Sequence, residues 1–208
     1  STFSSKDLQV LEAPITDLNS RCGEIRFAWA TDDRLSFTGK MNNGVIHGTV
    51  TPEGAPPSMR FTFDLTRKSD APPPRPYEVE SLSINSKGAR LSADIYMPRS
   101  PKPHPALVLL HGSGPHRKSL YAFDADFFAS QGFEVLIFDK RGCGSSSGNY
   151  WAASYEDLAN DAIACLETLK ARSSVEVRRI GLWGYSQGAM LLPWIAEKTP
   201  IPSFLIAK

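Results

Sequence analysis

At 208 residues the chain has room for one large domain, or for a medium domain with a smaller companion. Its 41% hydrophobic and 22% charged residues exclude a disordered or fibrous polypeptide. With 23 Lys and Arg against 22 Asp and Glu the formal net charge is +1, so no basic surplus favours nucleic acid as a partner.

Cys22, Cys143 and Cys165 cannot all pair with one another and match no zinc spacing, so neither a disulfide framework nor a metal is expected. Aliphatic runs such as Ala106 to Leu110 fall far short of the roughly 18 residues of a membrane span, and a soluble chain is expected. Residues Ser1 to Asp7 have neither an initiator Met nor the charged-then-apolar form of a signal peptide, from which we expect a natural start that lies upstream or has been removed.

From Ile25 onward apolar residues alternate with polar or small ones: Ile25, Phe27 and Trp29, then Leu35 and Phe37, then Val45 to Val50, then Met59, Phe61, Phe63 and Leu65. A period of two predicts strands. Thr31-Asp32-Asp33-Arg34, Asn42-Asn43-Gly44 and Pro52-Glu53-Gly54 have the residues that tight turns need, so 24–66 is predicted to be an antiparallel meander inside an N-terminal β domain of residues 1–70. That domain has one histidine, His47, and no cluster of ligand-type side chains, which predicts a structural role.

Eleven of the 16 prolines lie between Pro52 and Pro105, most densely in Ala71-Pro72-Pro73-Pro74-Arg75-Pro76, so residues 71–76 are predicted to be a stiff linker. Beyond it, Tyr77 to Ile84 and Arg90 to Tyr96 form a predicted hairpin about Ser86-Lys87-Gly88. Then come the compact apolar runs Ala106 to Leu110, Phe133 to Phe138 and Ile180 to Trp183, which suit parallel strands buried on both faces, and a last run, Ser203 to Ala207, is predicted to be another strand. Tyr155 to Arg172 is predicted helical, with Leu158, Ala162, Leu166 and Leu169 on one stripe behind a Ser154-x-x-Asp157 capping signal. The alternation predicts an α/β domain over residues 77–208.

Gly184-Tyr185-Ser186-Gln187-Gly188 is a G-x-S-x-G sequence between a predicted strand and the apolar helix Ala189 to Lys198. In that setting the glycines let a strand turn sharply into a helix while the central serine is exposed in a strained conformation. Pro193 should kink the helix. A serine nucleophile also needs backbone N–H groups aimed at the oxyanion. Gln187, directly after Ser186, and the loop His111-Gly112-Ser113-Gly114 supply them, with the Ser113 N–H favoured as donor and Gly112 lining the turn. A second match, Gly144-Ser145-Ser146-Ser147-Gly148, lies several residues past its strand with no helix directly behind it, so Ser146 is expected to be structural.

The ordered set HGSGP, DKRGCGSSSG (from Asp139) and GYSQG resembles the α/β-hydrolase superfamily over residues 77–208, and its spellings are similar to bacterial esterase-type members that carry an N-terminal β-rich domain. The resemblance implies a mostly parallel α/β-hydrolase core, incomplete here, after a small antiparallel β domain. It implies a serine esterase acting on small carboxylic esters through an acyl-enzyme at Ser186, with no cofactor, Asp139 and Arg141 shaping a loop beside the site, and a periplasmic or secreted location in preference to the cytoplasm.

Other readings remain. His111, Asp139 and Ser186 occur in the His, Asp, Ser order of a different protease fold, whereas α/β-hydrolases run Ser, acid, His. His116 reads as a solvated loop residue. Gly112 to Ser119 looks like a phosphate loop but has Arg117 where the second glycine belongs. Peptide or thioester cleavage uses the same nucleophile, and a non-enzymatic ligand-binding protein could have the same fold. After Ser186 there is no Asp, no His and a single glutamate, Glu197. A fragment is therefore expected, its triad Asp and His supplied by the remaining C-terminal part of the same protein.

Overall fold

The computed structural model describes residues 2–5, 10–21, 23–29, 34–56, 58–66 and 74–208, and the chain divides into two units, Ser1–Pro74 and Arg75–Lys208. Cys22, the Thr31 to Asp33 part of one expected turn and residues 71–73 of the proline-rich stretch lie outside the described residues.

The first unit is one antiparallel sheet of β1 (Thr2–Ser5), β2 (Val10–Arg21), β3 (Glu24–Trp29), β4 (Leu35–Asn42), β5 (Val45–Pro52) and β6 (Phe61–Thr66), paired in chain order. The meander expected over 24–66 is β3 to β6. Asn43 at φ 50° and Gly44 at φ 80° make the turn between β4 and β5, where both central residues need positive φ. The inward positions form a small aromatic core in which Phe27 stacks on Phe37 at 4.6 Å and Phe63 meets both rings edge-on. Burying each such ring contributes about 1.5–3 kcal/mol.

The second unit holds β7 (Tyr77–Ser86), β8 (Ala89–Pro98), β9 (His104–Leu110), α1 (Ala122–Ser130), β10 (Glu134–Phe138), α2 (Tyr155–Lys170), β11 (Val175–Gly184), α3 (Gln187–Lys198) and β12 (Phe204–Ala207). Its sheet runs β12-β11-β9-β10-β8-β7. The four strands β12, β11, β9 and β10 are parallel to one another, while β8 is antiparallel to both β10 and β7. The apolar stripe of α2, with Leu158, Ala162, Leu166 and Leu169, joins α3 on one face of the sheet, and Tyr121, Ala125 and Ala129 pack on the other. Both faces are thus covered, which is why β10 is buried along its whole length and β9 everywhere but Pro105. Ser154 and Asp157 form the full capping box of α2: Asp157 N–H donates to Ser154 Oγ (3.1 Å) and Ser154 N–H to the Asp157 carboxylate (2.9 Å). α3 runs unbroken through Pro193. Among the described residues no helix is long and apolar enough to cross a membrane.

β9 lies between β10 and β11, so the crossover from β9 to β10 and the one from β10 to β11 run in opposite directions. At such a switch point the loops at the strands' C-terminal ends part and leave a crevice. The loops after β9, β10 and β11 meet there.

Candidate active site

β11 ends at Gly184 and α3 begins at Gln187, leaving two residues to reverse the chain. Ser186 does so at φ 50°, ψ −114°, a conformation non-glycine residues seldom adopt, and its side chain stays exposed. The strain is held by backbone bonds from three directions. Tyr185 N–H donates to Leu110 O at the end of β9 (3.1 Å), Ser186 N–H to Lys208 O beyond β12 (3.2 Å), and Lys208 N–H to Gly184 O (2.9 Å). Both glycines are required sterically. A Cβ on Gly184 would lie 2.5 Å from the carbonyl carbon of Gly188, and one on Gly188 would lie 2.5 Å from Leu110 O.

Facing this elbow is the loop after β9. A Cβ built on Gly112 would stand 3.1 Å from the Tyr185 ring and 3.6 Å from Ser186 Cβ, so a side chain there would crowd Tyr185 where the loop meets the elbow. The loop's backbone is committed almost completely. Gly112 N–H donates to Tyr121 Oη (3.1 Å) and Gly114 N–H to Tyr150 Oη (2.7 Å). The Ser113 carbonyl meets His116 Nε2 at 2.5 Å. The Lys140 ammonium donates to the Gly112 carbonyl (2.5 Å), the Gly114 carbonyl (3.1 Å) and Gln187 Oε1 (2.9 Å), and sits 4.7 Å from the centre of the Tyr150 ring. What remains uncommitted among the described residues is the Ser113 N–H on one segment and the Gln187 N–H on the other. Two amides without a protein acceptor thus lie on the two segments that meet at Ser186, an arrangement suited to receive an oxyanion.

Asp139 and Arg141 build the loop after β10. The Asp139 carboxylate accepts from Lys118 N–H (2.8 Å) and Ser145 N–H (2.9 Å). Arg141 grips Asp161 of α2 with two bonds of 2.8 Å and also reaches the carbonyls of Lys87 and Asp157. The Asp161 carboxylate, by hydrogen bond and charge, holds the guanidinium above its ordinary pKa. Ser146, the central serine of the second G-x-S-x-G, is buried, donating to Asp139 O (2.7 Å) and accepting from Ser92 N–H (2.9 Å). It joins two strand ends and lacks the positive φ of Ser186. His111 is buried among rings, edge-on to Tyr121 (4.9 Å) and Phe138 (5.2 Å). His116 is half-buried and braces the Ser113 carbonyl, rather than standing in solvent. Among the described residues no imidazole or carboxylate bonds to Ser186 Oγ, and no three His, Cys, Asp or Glu gather as metal ligands.

Sequence reasoning missed Lys140, Tyr121 and Tyr150. Burial pulls the Lys140 ammonium down to about 8, and no carboxylate pairs with it among the described residues. The one signal in the sequence was its place between Asp139 and Arg141 directly after a buried strand.

The family model of serine aminopeptidases, S33, matches residues 101–203. Esterase EstD of Thermotoga maritima is 28% identical over 201 residues, covering 91% of this chain and 47% of that protein, so the likeness extends into the first unit. Among solved structures, a hypothetical protein of Pseudomonas aeruginosa, PA2218, superposes with a TM-score of 0.57 at 25% identity, covering 69% of this chain and 46% of that one. The thermostable carboxylesterase EstE1 from a metagenomic library superposes at 0.53 with 18% identity, covering 62% and 46%. The chain spans somewhat under half the length of each of these three proteins.

Proposed function

Because this chain belongs to the α/β-hydrolase superfamily and is similar to its esterases, we propose that it carries the nucleophile and oxyanion pocket of a serine hydrolase that cleaves small carboxylic esters. Ser186 Oγ attacks the ester carbonyl, the carbonyl oxygen takes the negative charge between the Ser113 and Gln187 N–H groups, and the alcohol leaves from an acyl-enzyme that water then hydrolyses. The observation that carries this reading is the strained, exposed Ser186 flanked by two uncommitted amides. No cofactor is needed for these steps.

The general base and its acid come from the rest of the same protein, outside residues 1–208. This is supported by the lack, among the described residues, of any imidazole bonded to Ser186 Oγ, and by the share of EstD that the chain spans. The first unit, a sheet with an aromatic core whose single histidine, His47, pairs with Asp64 at the surface, has a structural role. A periplasmic or secreted location completes the reading.

The test is labelling of the full-length protein with a fluorophosphonate. A mass adduct on the peptide containing Ser186, lost in Ser186→Ala together with aryl-ester turnover, is expected. No adduct and no turnover leaves a ligand-binding protein with this fold, whereas full turnover in Ser186→Ala removes Ser186 as the nucleophile. Residues 1–208 alone are expected to turn over little ester, and ordinary turnover there would return His111 to consideration as the base. The match to the S33 family favours peptide cleavage as a second reading, and faster release of an amino-acid anilide than of an aryl ester would establish it.

A further inference from the structure

Every backbone polar atom of Gly112-Ser113-Gly114 is held by the protein except the Ser113 N–H. That N–H belongs to the same peptide group as the Gly112 carbonyl. The group is trans, so its C=O and N–H point in opposite directions from one rigid plane. Whatever holds the oxygen therefore aims the hydrogen. The oxygen is held by the Lys140 ammonium, which also holds the side chain of Gln187, the residue of the second amide.

Resting on the reading of Ser186, Ser113 and Gln187 given above, we propose that Lys140 is the positioning residue of the oxyanion pocket. By clamping the Gly112 carbonyl from behind, its charge aims and polarises the Ser113 N–H toward the oxygen that becomes negative as Ser186 attacks. Tyr121 and Tyr150 hold the same loop but are neutral and accept from its N–H groups. Lys140 alone of these places a full charge on the peptide that donates. A cation drawing electron density from the carbonyl oxygen makes the N–H of that peptide a stronger donor, and with no carboxylate paired to it among the described residues the charge favours an anion in front. Lys140 touches neither substrate nor Ser186. Its effect passes through one peptide plane and one glutamine side chain.

This role ends when the ammonium loses its proton, because the neutral amine cannot donate to all three oxygens and has no charge. Burial brings that loss to about pH 8. The other titratable or charged groups around it are the Cys143 thiol, the Tyr150 phenol, the His116 imidazole, and, lining a small cavity with it, His111 and the Asp161 carboxylate already held by Arg141.

The test measures the rate of fluorophosphonate labelling of Ser186 in the full-length protein from about pH 6 to 10, for wild type, Lys140→Met and Lys140→Arg. Wild type is expected to slow above about pH 8. Lys140→Met should label about 10–100-fold more slowly at neutral pH, less than the loss of a whole oxyanion donor, with the deficit in the bond-forming step rather than in reagent affinity. Its alkaline decline should vanish. Lys140→Arg, charged throughout, should recover part of the rate and also lack the decline. A merely structural lysine would slow the reaction without changing the shape of the profile. Wild-type labelling that stays level above pH 8, or Lys140→Met labelling at the wild-type rate, overturns the proposal. If Lys140→Met does not fold, the wild-type and Lys140→Arg profiles decide. Absence of any wild-type adduct on Ser186 would instead defeat the nucleophile reading itself.

Discussion

The carbonyl oxygen of Leu110 occupies the space into which a side chain on Gly188 would project, 2.5 Å from where its Cβ would be. Through this contact the first turn of α3 rests directly on the end of β9. Gly188→Ala must push the two apart. Overpacking of this kind costs about 1–3 kcal/mol, and it moves Ser186 relative to the Gly112 loop. Chemical denaturation should show that loss, and fluorophosphonate labelling should fall by at least about 10-fold. Retention of both stability and labelling would mean that the elbow is not packed as described.

Tyr121 tests the loop from the other side. Removing its hydroxyl in Tyr121→Phe leaves the buried Gly112 N–H without an acceptor. An unsatisfied buried donor costs about 1–3 kcal/mol. A lower melting temperature with slower Ser186 labelling is the expected pair of results, and a melting temperature equal to that of wild type would count against the bond.

Arg141 and Asp161 form a buried pair with two hydrogen bonds. Arg141→Met strands the carboxylate, and breaking such a pair costs about 3–5 kcal/mol. In Arg141→Met with Asp161→Leu neither of these two charges remains, so part of the loss should be recovered, the remainder being the bonds of Arg141 to the Lys87 and Asp157 carbonyls and its pair with the Asp157 carboxylate. A double-mutant cycle by urea melts reads the difference, and two additive losses would show that the residues do not act as a pair.

The two G-x-S-x-G serines should separate cleanly. Ser146→Ala removes one hydrogen bond that ties the loop after β10 to Ser92 of β8 and one within that loop, a loss of about 1–2 kcal/mol, yet labelling by the fluorophosphonate should continue at Ser186. Loss of the adduct in Ser146→Ala but not in Ser186→Ala would exchange their roles.

Lys140 also makes a prediction about stability with pH. Its folded pKa of about 8 lies below its ordinary value of 10.5. Between those values the unfolded chain binds more protons than the folded one, so this group's contribution to stability rises with pH across that window. Wild type should gain stability relative to Lys140→Met from pH 8 to 10, while its labelling rate declines. Opposite trends in the two measurements would show that the alkaline loss is not unfolding, and a flat stability difference would refute the shift.

The parts of the fold that a sequence can show are those whose signal is local. The buried runs of β9 and β10, the stripe and capping box of α2, and the strand-serine-helix order about Ser186 each carry a complete pattern within about 20 residues. β2 does not. Asp17 at φ 53° and a register shift between Thr16 and Asn19 break its period of two. The first half of β11 is hidden for a similar reason, since its register against β9 shifts between Val175 and Ile180 while residues 177–179 are exposed. For α3, the expected start at Ala189 was two residues late because the turn is completed by Ser186 alone. Lys140 was invisible because its three acceptors come from Gly112, Gly114 and Gln187, which have no relation to it until the sheet assembles.

The central place of β9 has a consequence for biosynthesis. Its two partners are made at very different times: β10 begins 24 residues after β9 ends, whereas the register with β11 at Ile180 is reached 70 residues after Leu110. At roughly 5–20 residues per second a ribosome needs about 4–14 seconds for that interval. Throughout it, the apolar strand from Ala106 to Leu110 has at least one open edge, and two until β10 is made. The strand that will bear the Gly112 loop is an adhesive segment of the nascent chain for that time, and a chaperone that shields this edge until β11 emerges would guard the site before it exists.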